Sequence, residues 1–259
     1  MSGTYLDHAA STPMRPEAVA AMEPFLSFSF ANPSGIHGAA RASKTALEEA
    51  RETLAAALGA EPGEVVFTAG GTEADNLAVE GAARAARARR RLDGVVTSAF
   101  EHKGVLAAVD RLAAEGFDAH RVGVRPGGTV DLEALAAVLD KRTAVVSVML
   151  VNNEVGTVQP LAAVAELVRS RAPNAVLHTD AVQAVPWIDL EAAVDADLVA
   201  ISAHKFGGPK GTGALVVRGG TPVQPLLEGG GQERGLRAGT VNVAGAVAMA
   251  AALRVTVDR

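Results

Sequence analysis

The chain has 259 residues, 49% of them hydrophobic and 20% charged, with a formal net charge of −5. That is enough for one large α/β domain with a full core, and the acidic balance argues against a nucleic-acid partner. There is no cysteine, which excludes a disulfide framework or a thiolate metal site. With no apolar stretch of transmembrane length and no signal-peptide pattern in Met1-Ser-Gly-Thr-Tyr-Leu-Asp7, the expected location is the cytoplasm, with no membrane partner.

In chain order, the first clear period is helical. It covers His37–Leu58, with Leu47, Ala50, Leu54 and Leu58 on one face and Gly59 as a stop. A predicted strand, Glu64–Ala69, leads through a double glycine into a helix over Glu73–Arg91. The basic cluster Arg84, Arg87, Arg89, Arg90 and Arg91 closes that helix, where cations complement the C-terminal end of the helix dipole, so it reads as helix chemistry and not as a binding patch. Strands are then predicted at Gly94–Ala99, Ala119–Val124, Ala144–Val151, Ala175–Thr179, Leu198–Ser202 and Ala214–Arg218, with helices at Lys103–Glu115, Asp131–Leu139 and Leu161–Arg171. This alternation predicts a three-layer α/β/α fold on a mostly parallel seven-stranded sheet. Thr221–Thr240 reads as a long loop, of a length that is usually functional. A last helix, Val241–Val255, is apolar nearly all round and calls for burial on all sides, yet no later sequence is there to cover it; the expectation is an exposed apolar patch.

Chemistry-bearing residues cluster where predicted strands end. Gly70-Gly-Thr-Glu-Ala-Asp-Asn76 joins a strand to a helix. Thr72 can serve as N-cap with Asp75 three residues on, and the free N–H groups of such a turn suit a phosphate. No Walker pattern is present, so a cofactor phosphate is favoured over a nucleotide. Asp180 ends a strand in His178-Thr-Asp-Ala-Val-Gln183, and Ser202, His204 and Lys205 follow another in Ser202-Ala-His-Lys-Phe-Gly-Gly-Pro-Lys-Gly-Thr-Gly213. A lysine able to form a Schiff base and an aspartate able to pair with a pyridinium nitrogen are the minimum for pyridoxal 5′-phosphate (PLP) chemistry. Gln183 could donate to the ring's phenolic oxygen, Glu101-His102 could supply a stacking and proton-moving imidazole, and Asn153 a ring or substrate contact. Lys210, inside the glycine turn, is the rival lysine. The six histidines show no H-x-x-x-H pair, and His178-x-Asp180 has no third ligand near it in sequence, so no metal is expected.

As a set, these segments resemble the cysteine desulfurase family, of the class V aminotransferase superfamily and PLP fold type I. Added to them are Tyr5-Leu-Asp-His-Ala-Ala-Ser-Thr-Pro13, Asn32-Pro-Ser-Gly-Ile-His37, Val151-Asn-Asn-Glu-Val-Gly156 and Gly229-Gly-Gly-Gln-Glu-Arg-Gly-Leu-Arg-Ala-Gly-Thr240. The resemblance implies that Lys205 holds PLP as a Schiff base, that Asp180 pairs with the pyridine nitrogen and Gln183 with the phenolic oxygen, and that His102 stacks on the ring. Gly71, Thr72, Ser202 and His204 would hold the phosphate, and Thr240 would reach the phosphate of a partner subunit, implying a homodimer. The implied reaction takes L-cysteine to L-alanine and passes sulfur, through an enzyme cysteine, to an acceptor protein for iron–sulfur cluster or thiolated-RNA synthesis.

The same resemblance implies an N-terminal segment (1–15), a PLP-binding large domain (16–240) and a linking helix (241–259) leading to a small domain that is absent. With that domain would go the sulfur-accepting cysteine and the arginine that grips the substrate carboxylate. The expectation is therefore cofactor binding with slow or no desulfuration by this chain alone. The alternatives are a PLP lyase or aminotransferase-like enzyme that needs no cysteine, and a non-catalytic dimerisation or partner-binding module resting on the uncovered last helix.

Overall fold

The computed structural model describes residues 3–258. Seven strands form one sheet among these residues: β1 (Val65–Thr68), β2 (Gly94–Ser98), β3 (Asp118–Val122), β4 (Thr143–Ser147), β5 (Val176–Asp180), β6 (Leu198–Ser202) and β7 (Gly213–Val217). Their order is β1-β7-β6-β5-β4-β2-β3. Every pairing is parallel except those of β7, which runs antiparallel to both β1 and β6. Two reversals cancel, so β1 points the same way as β6, and its end lies at the same edge as the ends of β2, β4, β5 and β6. In open α/β sheets that edge is where ligands bind.

Side chains alternate across the strands as a period of two requires. Val65, Phe67, Val199, Ile201, Ala214 and Val216 enter one core cluster, while Val66, Leu198, Ala200 and Leu215 enter the other. The first face is covered by α1 (Pro16–Met22), α2 (Gly38–Ala57), α5 (Leu132–Val138), α6 (Leu161–Arg171) and α7 (Val243–Val257). The second face is covered by α3 (Gly71–Arg90) and α4 (Lys103–Ala114). The expected three-layer architecture is present.

Two expectations fail. Helix α7 is not an uncovered remnant. It lies against α1 and α2 of its own chain, with Met249, Ala252 and Leu253 fully buried. Part of that cover is the short α1, started by Pro16 at the first helical position, which is too brief to give a readable period. Thr72 is also not the N-cap of α3. Gly70 holds that position at φ 148°, outside the reach of ordinary L-residues, and Thr72 sits inside the first turn. The loop over residues 221–240 is irregular apart from a short 3₁₀ turn at Gln232–Gly235. The arginines closing α3 bind locally: Arg84 to Glu80 and Glu115, Arg87 over the Phe117 ring, and Arg90 to Asn174.

Candidate active site

Four parallel strand ends and the start of α3 converge on a cavity of about 220 Å³. Its wall contains Gly71, Thr72, Asp75, His102, Asn153, Asp180, Gln183, Ser202, His204 and Lys205. All the residues expected to hold the cofactor meet there except Thr240, which is exposed and outside the cavity, while the rival Lys210 lies outside it too. A second hollow, lined by Ser11, Glu73 and Lys210 among others, shares Gly71, Thr72, Ser202 and His204 with the first. The four shared residues are those expected to hold a phosphate.

Backbone geometry explains that shared wall. Gly213 pairs with Thr68 on one side and Ser202 on the other. A Cβ on Gly213 would stand 2.5 Å from the Gly70 carbonyl carbon. Glycine at 213 therefore lets the Gly70–Gly71 turn lie directly against the end of β6. At Gly71 a Cβ would meet Val182 at 2.8 Å and Ser202 at 3.3 Å, so any side chain there would fill the cradle. What remains is the N-terminal end of a long helix beside a hydroxyl, an imidazole and the nearby Lys210, a setting that favours an anion.

The opposite end of the cavity is acidic. Val176, His178 and Asp180 alternate onto the face covered by α3, which brings Asp75 of α3 against them. Burial pushes Asp75 up to about 8, with no hydrogen-bond partner for its Oδ1. Burial, then the charge of Asp75, raises Asp180 to about 7, while its Oδ1 accepts from the Val182 N–H at 2.8 Å. Glu101 lies beneath, accepting from Ser98 Oγ at 2.6 Å and Met149 N–H at 2.7 Å, and is also raised to about 8, chiefly by burial. Asp75 and Asp180 line the cavity wall with Glu101 buried nearby, a concentration of carboxyls that a positive charge on a bound ring would relieve.

His178 serves that wall from behind. Its Nδ1 is 2.9 Å from Ser147 Oγ, its partner across the β4–β5 register, and its Nε2 is 3.5 Å from Asp75 Oδ1. Burial lowers His178 to about 4. Burial drives the imidazole and the Asp75 carboxyl each toward its neutral form, which weakens their contact as an ion pair. Asp75, His102 and Asp180 each offer a ligand atom within 4.8 Å of one another. That trio was not visible in sequence, where His178 looked like the partner of Asp180.

Lys205 sits in a 3₁₀ turn, Ala203–Lys205, directly after β6. Burial lowers its amine below the usual lysine range, opposed by the charges of Asp180 and Asp7. His204 is lowered too, by burial and then by Lys205 and Lys210. His102 caps α4, its Nδ1 accepting the Gly104 N–H at 3.1 Å, so the neutral ring carries its proton on Nε2. Gln183 is buried with its Oε1 unpartnered. Asn153 is half-buried at the rim, while neighbouring Asn152 is consumed structurally, bonding Phe100 O and the Glu154 and Val155 N–H groups. The residue whose place sequence reasoning misread is Asp75, taken there as the capping partner of Thr72. Its signal was only helical position: one turn into α3, four residues after Gly71, on the inward face.

Comparison with known proteins agrees with this geometry. The family model "Aminotransferase class-V" matches residues 4–258. The chain is 44% identical over 254 residues to a protein named cysteine desulfurase IscS from Dictyoglomus turgidum, covering 98% of this chain and 64% of that one. It is 47% identical over 252 residues to a cysteine desulfurase from Cereibacter sphaeroides, covering 96% and 64%. Among solved structures, a NifS-like protein superposes with a TM-score of 0.95 at 38% identity, covering 98% of this chain and 70% of that one. A structure titled SspA in complex with cysteine gives 0.90 at 36% identity, covering 97% and 72%. This chain thus spans about 64% of the length of the two curated relatives.

Proposed function

The chain belongs to the aminotransferase class-V family, and from that premise we propose that it binds PLP in the cavity at the strand ends, linked through Lys205, and takes L-cysteine as its amino-acid substrate. The observation that carries the reading is the polarity of the cavity: a helix N-terminus and hydroxyl cradle at one end, unpaired buried carboxyls at the other, and a desolvated amine between them. Each part suits one part of the cofactor, whose ring when bound serves as an electron sink for charge developing at a substrate α-carbon.

Gly71, Thr72, Ser202 and His204 would hold the phosphate, Asp180 the ring nitrogen, and Gln183 and Asn153 the oxygen side. Lys205 supplies a nucleophilic nitrogen because its desolvation favours the neutral amine. His102 presents its Nε2 to the cavity, the atom at which a proton could be exchanged with substrate. A homodimer in which Thr240 serves the partner's cavity, a cytoplasmic setting and delivery of sulfur to an acceptor protein belong to the same proposal. The relatives' cysteine desulfurase names support the delivery of sulfur, and the exposure of Thr240 outside its own cavity supports the dimer.

The experiment is a visible-absorption titration of the purified chain with PLP, followed by addition of L-cysteine, L-alanine or L-aspartate. A saturable band that borohydride removes, that Lys205→Ala lacks, and that responds to L-cysteine more than to L-aspartate is the expected result. A band indifferent to every amino acid would overturn the substrate assignment.

A further inference from the structure

The turn that carries Lys205 has little support of its own. It leaves the sheet at Ser202, and its internal backbone bonds are Phe206 N–H and Gly208 N–H, both to the Ala203 carbonyl. Outside the turn, Ala203 N–H donates to the Thr212 carbonyl and Thr256 of α7 donates to the Phe206 carbonyl, but most of the bonds come from a segment almost two hundred residues away in sequence, Asp7–Arg15. Thr12 is its centre. The Thr12 N–H and Oγ1 both donate to the His204 carbonyl, at 3.0 and 2.8 Å, and the same Oγ1 accepts the Gly207 N–H at 2.8 Å. One hydroxyl therefore bridges the backbone immediately before Lys205 and two residues after it.

Neighbouring contacts extend the strap. Arg15 N–H donates to the Gly207 carbonyl at 2.8 Å and Arg15 Nε to the Phe206 carbonyl at 3.0 Å. Ser11 Oγ lies 3.3 Å from His204 Nδ1. Gly207 has φ +87°, and a side chain there would overlap that of Arg15, so the turn and the strap fit only with glycine at this position. Lys205 Nζ itself donates to the Ala9 carbonyl, and Ala10 lines the cavity.

We propose that Thr12 is a positioning residue for Lys205, fixing the backbone on both sides of the lysine so that its amine stays at the cavity rim, aimed for condensation with an aldehyde; this rests on the PLP reading above. In that condensation the neutral amine nitrogen bonds to the aldehyde carbon, its two N–H protons pass to the aldehyde oxygen, and that oxygen leaves as water as the C=N bond closes, with no oxidant or reductant required. Orientation of a nucleophile affects the rate of such a step more than the affinity of the site for the rest of the molecule.

The test compares the full chain with Thr12→Val and Thr12→Ser variants in two measurements. One is the rate at which a borohydride-fixable adduct forms with PLP. The other is the affinity for pyridoxamine 5′-phosphate, which has the same ring and phosphate but no aldehyde. The expected result is condensation about tenfold slower in Thr12→Val, as befits loss of a bridging hydroxyl, and within about twofold of normal in Thr12→Ser. Pyridoxamine phosphate affinity should be alike in all three. Condensation at the normal rate in Thr12→Val would overturn the proposal, as would parallel loss of pyridoxamine phosphate binding, which marks a merely structural role. Failure of the unmodified chain to form any adduct would instead remove the PLP reading itself.

Discussion

Asp75 shows how one side chain sets the charge of the cavity. A carboxyl raised by burial holds its proton in the folded protein over a range where the unfolded chain has released it. Such a group contributes stability that is lost as pH rises through its folded value. For Asp75, Glu101 and Asp180 those values are about 8, 8 and 7. His178, lowered to about 4 from 6.5, acts in the opposite direction but only below about pH 6.5. The cofactor-free protein should therefore lose stability between about pH 6.5 and 8, by at most about 1.4 kcal/mol per pH unit for each carboxyl. Lys205 and His204, both lowered, oppose this trend but are common to any variant pair. Urea unfolding across this window should show a shallower decline for Asp75→Asn than for the unmodified chain. An identical decline would mean that Asp75 is already ionised in the fold.

At the scale of elements, the site depends on turns that glycine and one buried ion pair hold in place. Gly213→Ala would drive a methyl into the Gly70 backbone. The expected cost is about 1–3 kcal/mol, accompanied by weaker phosphate anchoring, readable as a lower urea midpoint and a raised Kd for PLP. The Gln232–Gly235 turn holds two non-glycine residues in the left-handed region, Glu233 at φ 44° and Arg234 at φ 56°. It is tied down by Arg51, which donates to both Glu233 carboxylate oxygens at 2.8 Å, while Phe67 N–H of β1 donates to the same carboxylate at 2.8 Å. Glu233→Ala would leave the buried Arg51 guanidinium with only the half-exposed Glu48 at 3.1 Å as a carboxylate partner and the Phe67 N–H without its acceptor, and a loss of about 2–4 kcal/mol in urea unfolding is expected. These features divide by legibility. The strands could be read because β-branched runs such as Leu198–Ser202 and Ala214–Arg218 are local signals, and the cavity residues because each follows such a run. The cover of α7 could not be read, since it is a tertiary contact with α2, itself legible, and with the seven-residue α1, both about two hundred positions away. Neither could the Arg51–Glu233 pair or the Thr12 strap, which join distant residues that carry no mark of their partners.

For the whole molecule, the proposed division of labour is that this chain supplies cofactor binding and the first chemical steps. Sulfur leaving L-cysteine as a persulfide needs a thiol to receive it, and the chain offers none. Incubated alone with PLP and L-cysteine, it should form no protein-bound persulfide by cyanolysis and release alanine no faster than free PLP in buffer. Steady alanine production well above that background would favour the thiol-independent reading. The family assignment and the sheet topology stand apart from this outcome, because they rest on the match over residues 4–258 and on the strand order.

The most direct test of the account is to fix the PLP complex with borohydride, digest it and locate the pyridoxyl group by mass spectrometry. The account predicts stoichiometric label on Lys205, at the carboxyl edge of the sheet, and none on Lys210 in the adjoining glycine turn. Label on Lys210, or label scattered over surface lysines, would contradict the assignment of this cavity as the cofactor site.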